Sequence, residues 1–176
     1  LWRIVLPVDP EKGADELLSD AHVQGKMQKF FPKPEAYDIV HRKLYTVHQR
    51  VAETFRKGRV LLAGDSSHAN NPIGGMGLNG GIQDAANLAE KLGRVCNGES
   101  ADLLDLYDKQ RRTIATEFVQ KQTIANKKRL ESRDEAARQA SFRELREIAG
   151  DRERARVFVR RAAMLEAQRQ AAATTL

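Results

Sequence analysis

The sequence predicts an α/β fold with a long helical C-terminal tail. An almost wholly apolar run at residues 59–63 is typical of a strand that is buried on both faces of a parallel sheet. A glycine-rich stretch at residues 64–81 follows it, and the chain then changes to apolar residues at helical spacing. From residue 102 this spacing continues almost to the last residue, which predicts a series of helices.

Length and composition indicate a globular chain with a buried core. Of its 176 residues, 41% are hydrophobic and 31% are charged, which excludes a disordered polypeptide. No apolar run is long enough to span a membrane, and no signal peptide is visible. The single cysteine, Cys96, excludes an internal disulfide and a cysteine-based metal site. We therefore expect it to be a small core residue of a cytoplasmic protein that holds no metal.

Charge is distributed unevenly along the chain. The net charge is +6, and residues 101–176 contribute 17 basic and 12 acidic residues. The two signs interleave at helical spacing, which is typical of a solvated helix with many ion pairs. Because few aromatic residues accompany these charges, we expect no nucleic acid partner.

Three elements are predicted before the apolar run. Residues 2–8 alternate in the manner of a strand. Residues 15–24 have the spacing of a short helix, which the prolines at positions 32 and 34 end. Residues 39–51 are expected to be extended, and a tight turn at Lys57-Gly58 leads into the apolar run.

Four helices are predicted after it. The first has its apolar face at residues 82–96 and ends at Asn97-Gly98. Asp102 is expected to cap the second, which continues to about residue 130. Residues 133–149 and 151–170 follow as two more, and residues 171–176 are expected to fray.

The stretch between the apolar run and the first helix is the most informative chemically. Asp65 at the carboxyl end of a parallel strand faces the usual ligand crevice and suits sugar hydroxyls. Glycines allow the backbone to approach a flat ligand, and a helix beginning near residues 78–80 offers free amides to an anion. The combination suits a flavin.

The same stretch contains the spacing of a dinucleotide fingerprint. Gly75, Gly77 and Gly80 spell G-x-G-x-x-G, whose first glycine normally follows a strand directly. Here eleven residues separate Ala63 from Gly75, so we reject that interpretation.

Residues 58–85 resemble the second flavin motif of the FAD-dependent aromatic hydroxylases, the family that includes para-hydroxybenzoate hydroxylase and phenol hydroxylase. A serine pair, Ser66-Ser67, replaces the usual two alanines. The matching positions are Gly58, Arg59, Val60, Gly64, Asp65, His68, Pro72, Gly74, Gly75, Gly77, Asn79, Asp84 and Ala85.

The resemblance implies a role for each of several cofactor-binding residues. Asp65 would bind a ribityl hydroxyl of FAD, and Pro72 would lie beside the isoalloxazine ring. The amides of Gly77, Leu78 and Asn79 would face the pyrimidine edge of the flavin. The full cofactor-binding set predicted is Gly64, Asp65, Pro72, Gly75, Gly77, Leu78 and Asn79.

The resemblance also places His48 and Arg50 near the substrate, although an exposed strand face explains them equally well. His68 could act in chemistry, but hydrogen bonding within the loop is the more common role. Asp84 could support the loop or favour the first helical turn. No catalytic residue is identified.

The function implied by the resemblance is that of a flavin-dependent monooxygenase, which hydroxylates a small phenolic aromatic with NADH or NADPH and O2. The chain would be its C-terminal portion, because the first flavin motif of the family is not found. Residues 1–56 would belong to a mixed-sheet substrate domain, 57–98 to the second half of a Rossmann-like FAD-binding domain, and 99–176 to C-terminal helices. Two alternatives stay open: a flavoprotein that hydroxylates a quinone precursor or a non-aromatic ring, and a helical interaction or dimerisation module of a flavoprotein with no catalysis of its own. A homodimer is the expected assembly.

Overall fold

The computed structural model describes residues 1–132 and 134–176. They divide into two compact units, Leu1–Thr46 and Val47–Leu176.

The first unit is built on two helices, α1 (Ala14–Leu17) and α2 (Asp20–Phe30). The Ser19 hydroxyl caps α2 by accepting the amide of His22 at 3.3 Å. The helix ends directly before Phe31, as the proline pair predicts. The chain then returns along α2, where the Gln24 side chain donates to the Tyr37 carbonyl and accepts from the Tyr37 amide.

The strand predicted at residues 2–8 is wrong, because the structure has no regular secondary structure there. Most of these side chains are exposed, and Trp2 is almost fully so. A strand is stable only when its backbone groups pair with a neighbour, and no described segment pairs with this one. For the same reason residues 39–49 form no strand, and pairing begins only at Arg50.

The second unit opens with two short antiparallel pairs. Strand β1 (Arg50–Val51) pairs with β4 (His68–Ala69), and β2 (Arg56–Lys57) pairs with β3 (Val60–Leu61) across the turn at Gly58.

The apolar run was predicted as a strand buried within a parallel sheet, and this prediction is wrong. Its only pairing among the described residues is the antiparallel hairpin with β2, and Val60 is 64% exposed. A continuous apolar run suits a strand covered on both faces, but such burial requires covering layers, and the described residues place none over Val60.

Helix α3 (Met76–Cys96) begins six residues before its predicted apolar face. Gly75 sits at its N-cap with a φ of 65°, a left-handed conformation that favours glycine. The preceding chain forms a turn in which the Gly75 amide donates to the Pro72 carbonyl at 3.0 Å. Gly74 is third in this turn and has a φ of 103°, as a type II turn requires.

Two glycines let α3 approach the turn after β3. A Cβ atom added to Gly81 would lie 3.3 Å from the Cα atom of Gly64, whereas one added to Gly93 on the same helix would meet no atom within 4 Å.

These glycines provide a matched test of the close approach. The change Gly93→Ala should stabilise the chain by about 0.5–1 kcal/mol, because alanine favours the helix. The change Gly81→Ala brings the same helical gain but pushes α3 from Gly64, so its stabilisation should be lost or reversed. Urea unfolding of both variants measures the difference, and equal stabilisation would show that the approach is unimportant.

The later helices follow the predicted order with shifted boundaries. Helix α4 (Asp102–Thr113), a π-helical segment (Ile114–Gln120) and α5 (Lys121–Glu131) form one continuous helical stretch. Asp102 is its first residue rather than its cap, and the Ser100 hydroxyl accepts the Asp102 amide.

Three more helices complete the second unit: α6 (Glu135–Gly150), α7 (Arg152–Ala162) and α8 (Leu165–Ala173). The start predicted at residue 133 lies outside the described residues. The predicted single helix over residues 151–170 is interrupted at Met164, which has a φ of 60°. Residues up to Ala173 remain helical, so the expectation that the chain frays from residue 171 is wrong.

The core of the second unit consists of two clusters. One joins the start of α3 to the π-helical segment and α8 through Met76, Ile114, Val119, Met164, Ala167 and Ala171. The other surrounds Phe55, Tyr107 and Ala115. Interleaved charges on α6 form surface ion pairs, such as Arg138 with Glu135 at 3.0 Å, as predicted.

The apolar face of α3 is not part of this core. Ile82 is 59% exposed and Cys96 is exposed, so the prediction that Cys96 is a core residue is wrong. In the described part of the chain, no helix combines the length and the apolar character needed to cross a membrane.

Candidate cofactor site

A cleft of about 340 Å³ lies where the turn after β3, strand β4 and the beginning of α3 meet. This volume is within the range of small-molecule sites. Its lining residues are Asp65, Ala69, Asn70, Asn71, Pro72, Gly75, Gly77 and Leu78.

Five of the seven predicted cofactor residues line this one cleft. Gly64 and Asn79 are outside the lining. Gly64 instead shapes the turn that carries Asp65, with a φ of 61°. Asn79 turns its side-chain amide back to the Gly75 carbonyl at 2.9 Å. Whether these residues contact a cofactor stays a prediction.

The beginning of α3 gives one wall of the cleft a positive partial charge. Gly77 and Leu78 lie in its first turn, where amides have no acceptor within the helix. An anion or a developing negative charge is stabilised at such a helix end by about 0.3–2 kcal/mol.

Neither of the two predicted substrate residues is among the residues that line this cleft. Arg50 is exposed on β1 and pairs with Ala69, which lines the cleft. His48 is exposed two residues earlier. Their contact with a substrate stays a prediction.

A buried polar network lies behind the cleft and is centred on the Asp84 carboxylate. Arg111 donates its Nε to Asp84 Oδ1 at 2.6 Å. The His68 Nε2 atom lies 2.7 Å from Asp84 Oδ2, and the amide of Gly64 donates to the same oxygen at 3.0 Å. All three side chains are at most 3% exposed, so the carboxylate ties two helices and the cleft-forming turn together.

Burial and charge act in opposite directions on Asp84. Burial by itself raises the pKa of this carboxyl, but the hydrogen bond from His68 and the charge of Arg111 outweigh it and hold the pKa below its usual value of 3.8. Burial also raises the pKa of Tyr107, whose protonated hydroxyl donates to the Leu62 carbonyl at 2.6 Å.

The lowered pKa of Asp84 predicts a loss of stability in acid. A carboxyl whose pKa is lower in the folded than in the unfolded chain stabilises the fold above the unfolded value of 3.8. This contribution disappears as the pH falls through the lower, folded value. Thermal midpoints measured from about pH 6 to about pH 2 should therefore fall more steeply for the natural chain than for Asp84→Asn. Parallel curves would contradict the prediction.

The pairing of Asp84 with Arg111 is not among the sequence-based predictions. A signal was present, because Arg111 continues the spacing of Leu104, Tyr107 and Ile114, which form the buried face of α4 and the segment after it. A charged residue on such a face requires a buried partner of opposite charge.

The cleft can be tested for its fit to a flavin from its own atoms. Asn70 lines it and has a buried Oδ1 atom that no donor reaches within the described residues. An Asp carboxylate, an acceptor amide and a helix N-terminus suit a ligand that combines hydroxyl or imide donors with an electron-rich ring edge. The donor set therefore fits a flavin.

Comparison with known proteins agrees with this assignment. The model of a family described as FAD binding domain matches residues 2–122. The chain belongs to this family. The predicted resemblance and the FAD cofactor are thereby confirmed. The region that the family model matches contains every residue that lines the cleft.

Curated relatives of this FAD binding domain are named as monooxygenases and hydroxylases. A para-nitrophenol 4-monooxygenase of Pseudomonas sp. (strain WBC-3) is 40% identical over 167 residues, which are 90% of this chain and 40% of the relative. A 3-(3-hydroxy-phenyl)propionate/3-hydroxycinnamic acid hydroxylase of Mycolicibacterium vanbaalenii is 40% identical over 71% of this chain and 22% of its own length.

Solved structures show the same likeness. The crystal structure of p-nitrophenol 4-monooxygenase from Pseudomonas putida DLL-E4 matches 89% of this chain and 41% of its own chain, with a TM-score of 0.75 and 31% identity. The chain thus spans less than half the length of these relatives, and its fold is similar to the part of that structure which it matches.

Proposed function

We propose that this FAD binding domain is the C-terminal portion of a flavin-dependent monooxygenase that hydroxylates a small phenolic aromatic. The observation that carries the proposal is the cleft in which Asp65, Pro72 and the beginning of α3 meet. The relatives that support it are named for nitrophenol and hydroxyphenylpropionate. Because the chain covers under half of their length, the activity is proposed for a polypeptide of their length that contains it.

Each wall of the cleft has a part in this proposal. Asp65 accepts a hydrogen bond from a ribityl hydroxyl, and Pro72 restricts the position of the flat ring. The free amides of Gly77 and Leu78 stabilise negative charge at the ring edge. FAD, when bound, supplies the redox chemistry with NADH or NADPH and O2, whereas the protein orients the partners and excludes water.

Oxidation of NADH or NADPH that depends on a phenolic substrate tests the proposal. A polypeptide that contains this chain and is as long as the relatives should be yellow after purification. Addition of a phenol should accelerate its oxidation of NADH or NADPH and yield a hydroxylated ring. A colourless protein that never acquires FAD rejects the proposal. If the flavoprotein oxidises NADH or NADPH only when a quinone precursor is added, the substrate belongs to that alternative class.

The arrangement of domains and partners completes the proposal. The proposal includes the domain division at residues 56 and 98, which the family resemblance implies. It also includes a cytoplasmic location and no nucleic acid or membrane partner, which the composition and charge pattern indicate. A homodimer contact through the long C-terminal helices is part of the proposal, and Val157 on α7, which is 63% exposed, offers an apolar side chain for it. Size-exclusion chromatography of the change Val157→Glu tests it, because a charge there should shift a dimer towards monomer.

A further inference from the structure

We infer that Asn70 selects the ligand of the cleft by accepting a hydrogen bond from one of its O–H or N–H groups. His68 and Asp84 are positioning residues that hold the Asn70 amide in the required orientation. The inference deepens the proposed function and rests on it.

The orientation of Asn70 follows from a chain of short contacts. Asn70 Nδ2 lies 2.6 Å from His68 Nδ1, and His68 Nε2 lies 2.7 Å from Asp84 Oδ2. Arg111 already supplies the positive charge that balances Asp84. The Nε2 atom of His68 faces a carboxylate oxygen and therefore carries the hydrogen that it donates to Asp84, and the Nδ1 atom accepts from the Asn70 amide.

This chain fixes which amide atom is left for the ligand. Rotating the amide by half a turn would place Asn70 Oδ1 against the lone pair of His68 Nδ1, and both atoms are acceptors. The oxygen therefore stays on the side away from His68. There it is buried and has no donor among residues 1–132 and 134–176.

A buried oxygen without a donor is unfavourable, and native structures usually supply one. Asn70 lines the cleft, so a ligand in the cleft can supply it. Asp65 is a second acceptor in the same wall. Two acceptors together favour a ligand with more than one donor group, such as a flavin with its hydroxyls and ring imide. They also suit a flavin and a phenol that supply one donor each.

The variant Asn70→Leu tests the inference in a polypeptide that contains this chain and is as long as the relatives. It keeps a side chain of similar size and removes the acceptor. The FAD dissociation constant, measured by flavin fluorescence, or the phenol KM should rise about 3- to 10-fold, which is the usual effect of losing one neutral hydrogen bond. A rise in the FAD constant assigns the donor to the flavin, and a rise in KM alone assigns it to the substrate.

Asn87→Leu is the matched control. Asn87 also has a buried Oδ1 without a donor in the described part of the chain, and its Nδ2 donates to Gln110, but it lies outside the cleft. Both constants should be unchanged in this variant. The smaller change Asn70→Ala, checked by its thermal midpoint, ensures that a folded variant is available.

Non-additivity tests the positioning by His68. If His68 acts through Asn70, adding Asn70→Ala to His68→Ala should weaken ligand binding no further. Additive losses of affinity would contradict the positioning role of His68. Unchanged constants in both Asn70 variants overturn the inference while leaving the proposed function intact. A natural protein that binds no FAD overturns the proposed function instead.

Discussion

Replacement of Asp84 by alanine is expected to destabilise the folded chain by about 3–5 kcal/mol, because it leaves Arg111 as a buried, uncompensated charge. The same change removes the acceptor of His68 and of the Gly64 amide. This loss is a large share of the stability of an ordinary domain. Urea unfolding followed by circular dichroism measures it, and a loss below about 1 kcal/mol would contradict the role of the network.

The control for this experiment is an exposed ion pair. On the surface near the end of α3, the Arg94 guanidinium donates a hydrogen bond from Nη2 to Glu99 Oε2 at 2.7 Å. The change Glu99→Gln should have little effect, because solvent already screens both groups. Comparison of the two variants separates the effect of burial from that of simple charge loss.

Local sequence determines the part of the site that could be predicted. The cleft residues from Asp65 to Leu78 lie within one short stretch, so glycine positions and a helix beginning are enough to bring them together. The pairing of Asp84 with Arg111 joins residues 27 positions apart through the packing of two helices. No local pattern specifies that distance, although a charge on an apolar helix face indicates that some partner exists.

The errors in the fold have a related cause. Residues 2–8 and 59–63 have the alternation or apolar content of strands, yet neither is covered and paired in the predicted way. A strand depends on neighbours that its own residues do not encode. Helices satisfy their backbone hydrogen bonds internally, and the helices of the second unit accordingly lie close to their predicted positions.

Replacement of Asp65 by alanine is expected to weaken FAD binding about 10- to 150-fold, if the carboxylate accepts a ribityl hydroxyl as proposed. Hydrogen bonds to a charged group are stronger than neutral ones, so this effect should exceed that of Asn70→Leu. Asp65 is exposed at the cleft and makes no hydrogen bond to another described side chain, so the fold should be retained. Equilibrium titration with FAD of a polypeptide that contains this chain and is as long as the relatives measures the affinity.

The change Asp102→Ala is the control for this titration, because Asp102 is an exposed acid at the start of α4 and lies outside the cleft. Its FAD affinity should equal that of the natural protein. Asp65→Asn should be intermediate, because an amide oxygen still accepts the hydroxyl but without the charge. If Asp65→Ala binds FAD as tightly as the Asp102 variant does, the carboxylate does not contact the cofactor. The helix beginning and the acceptor of Asn70 would then have to account for binding by themselves.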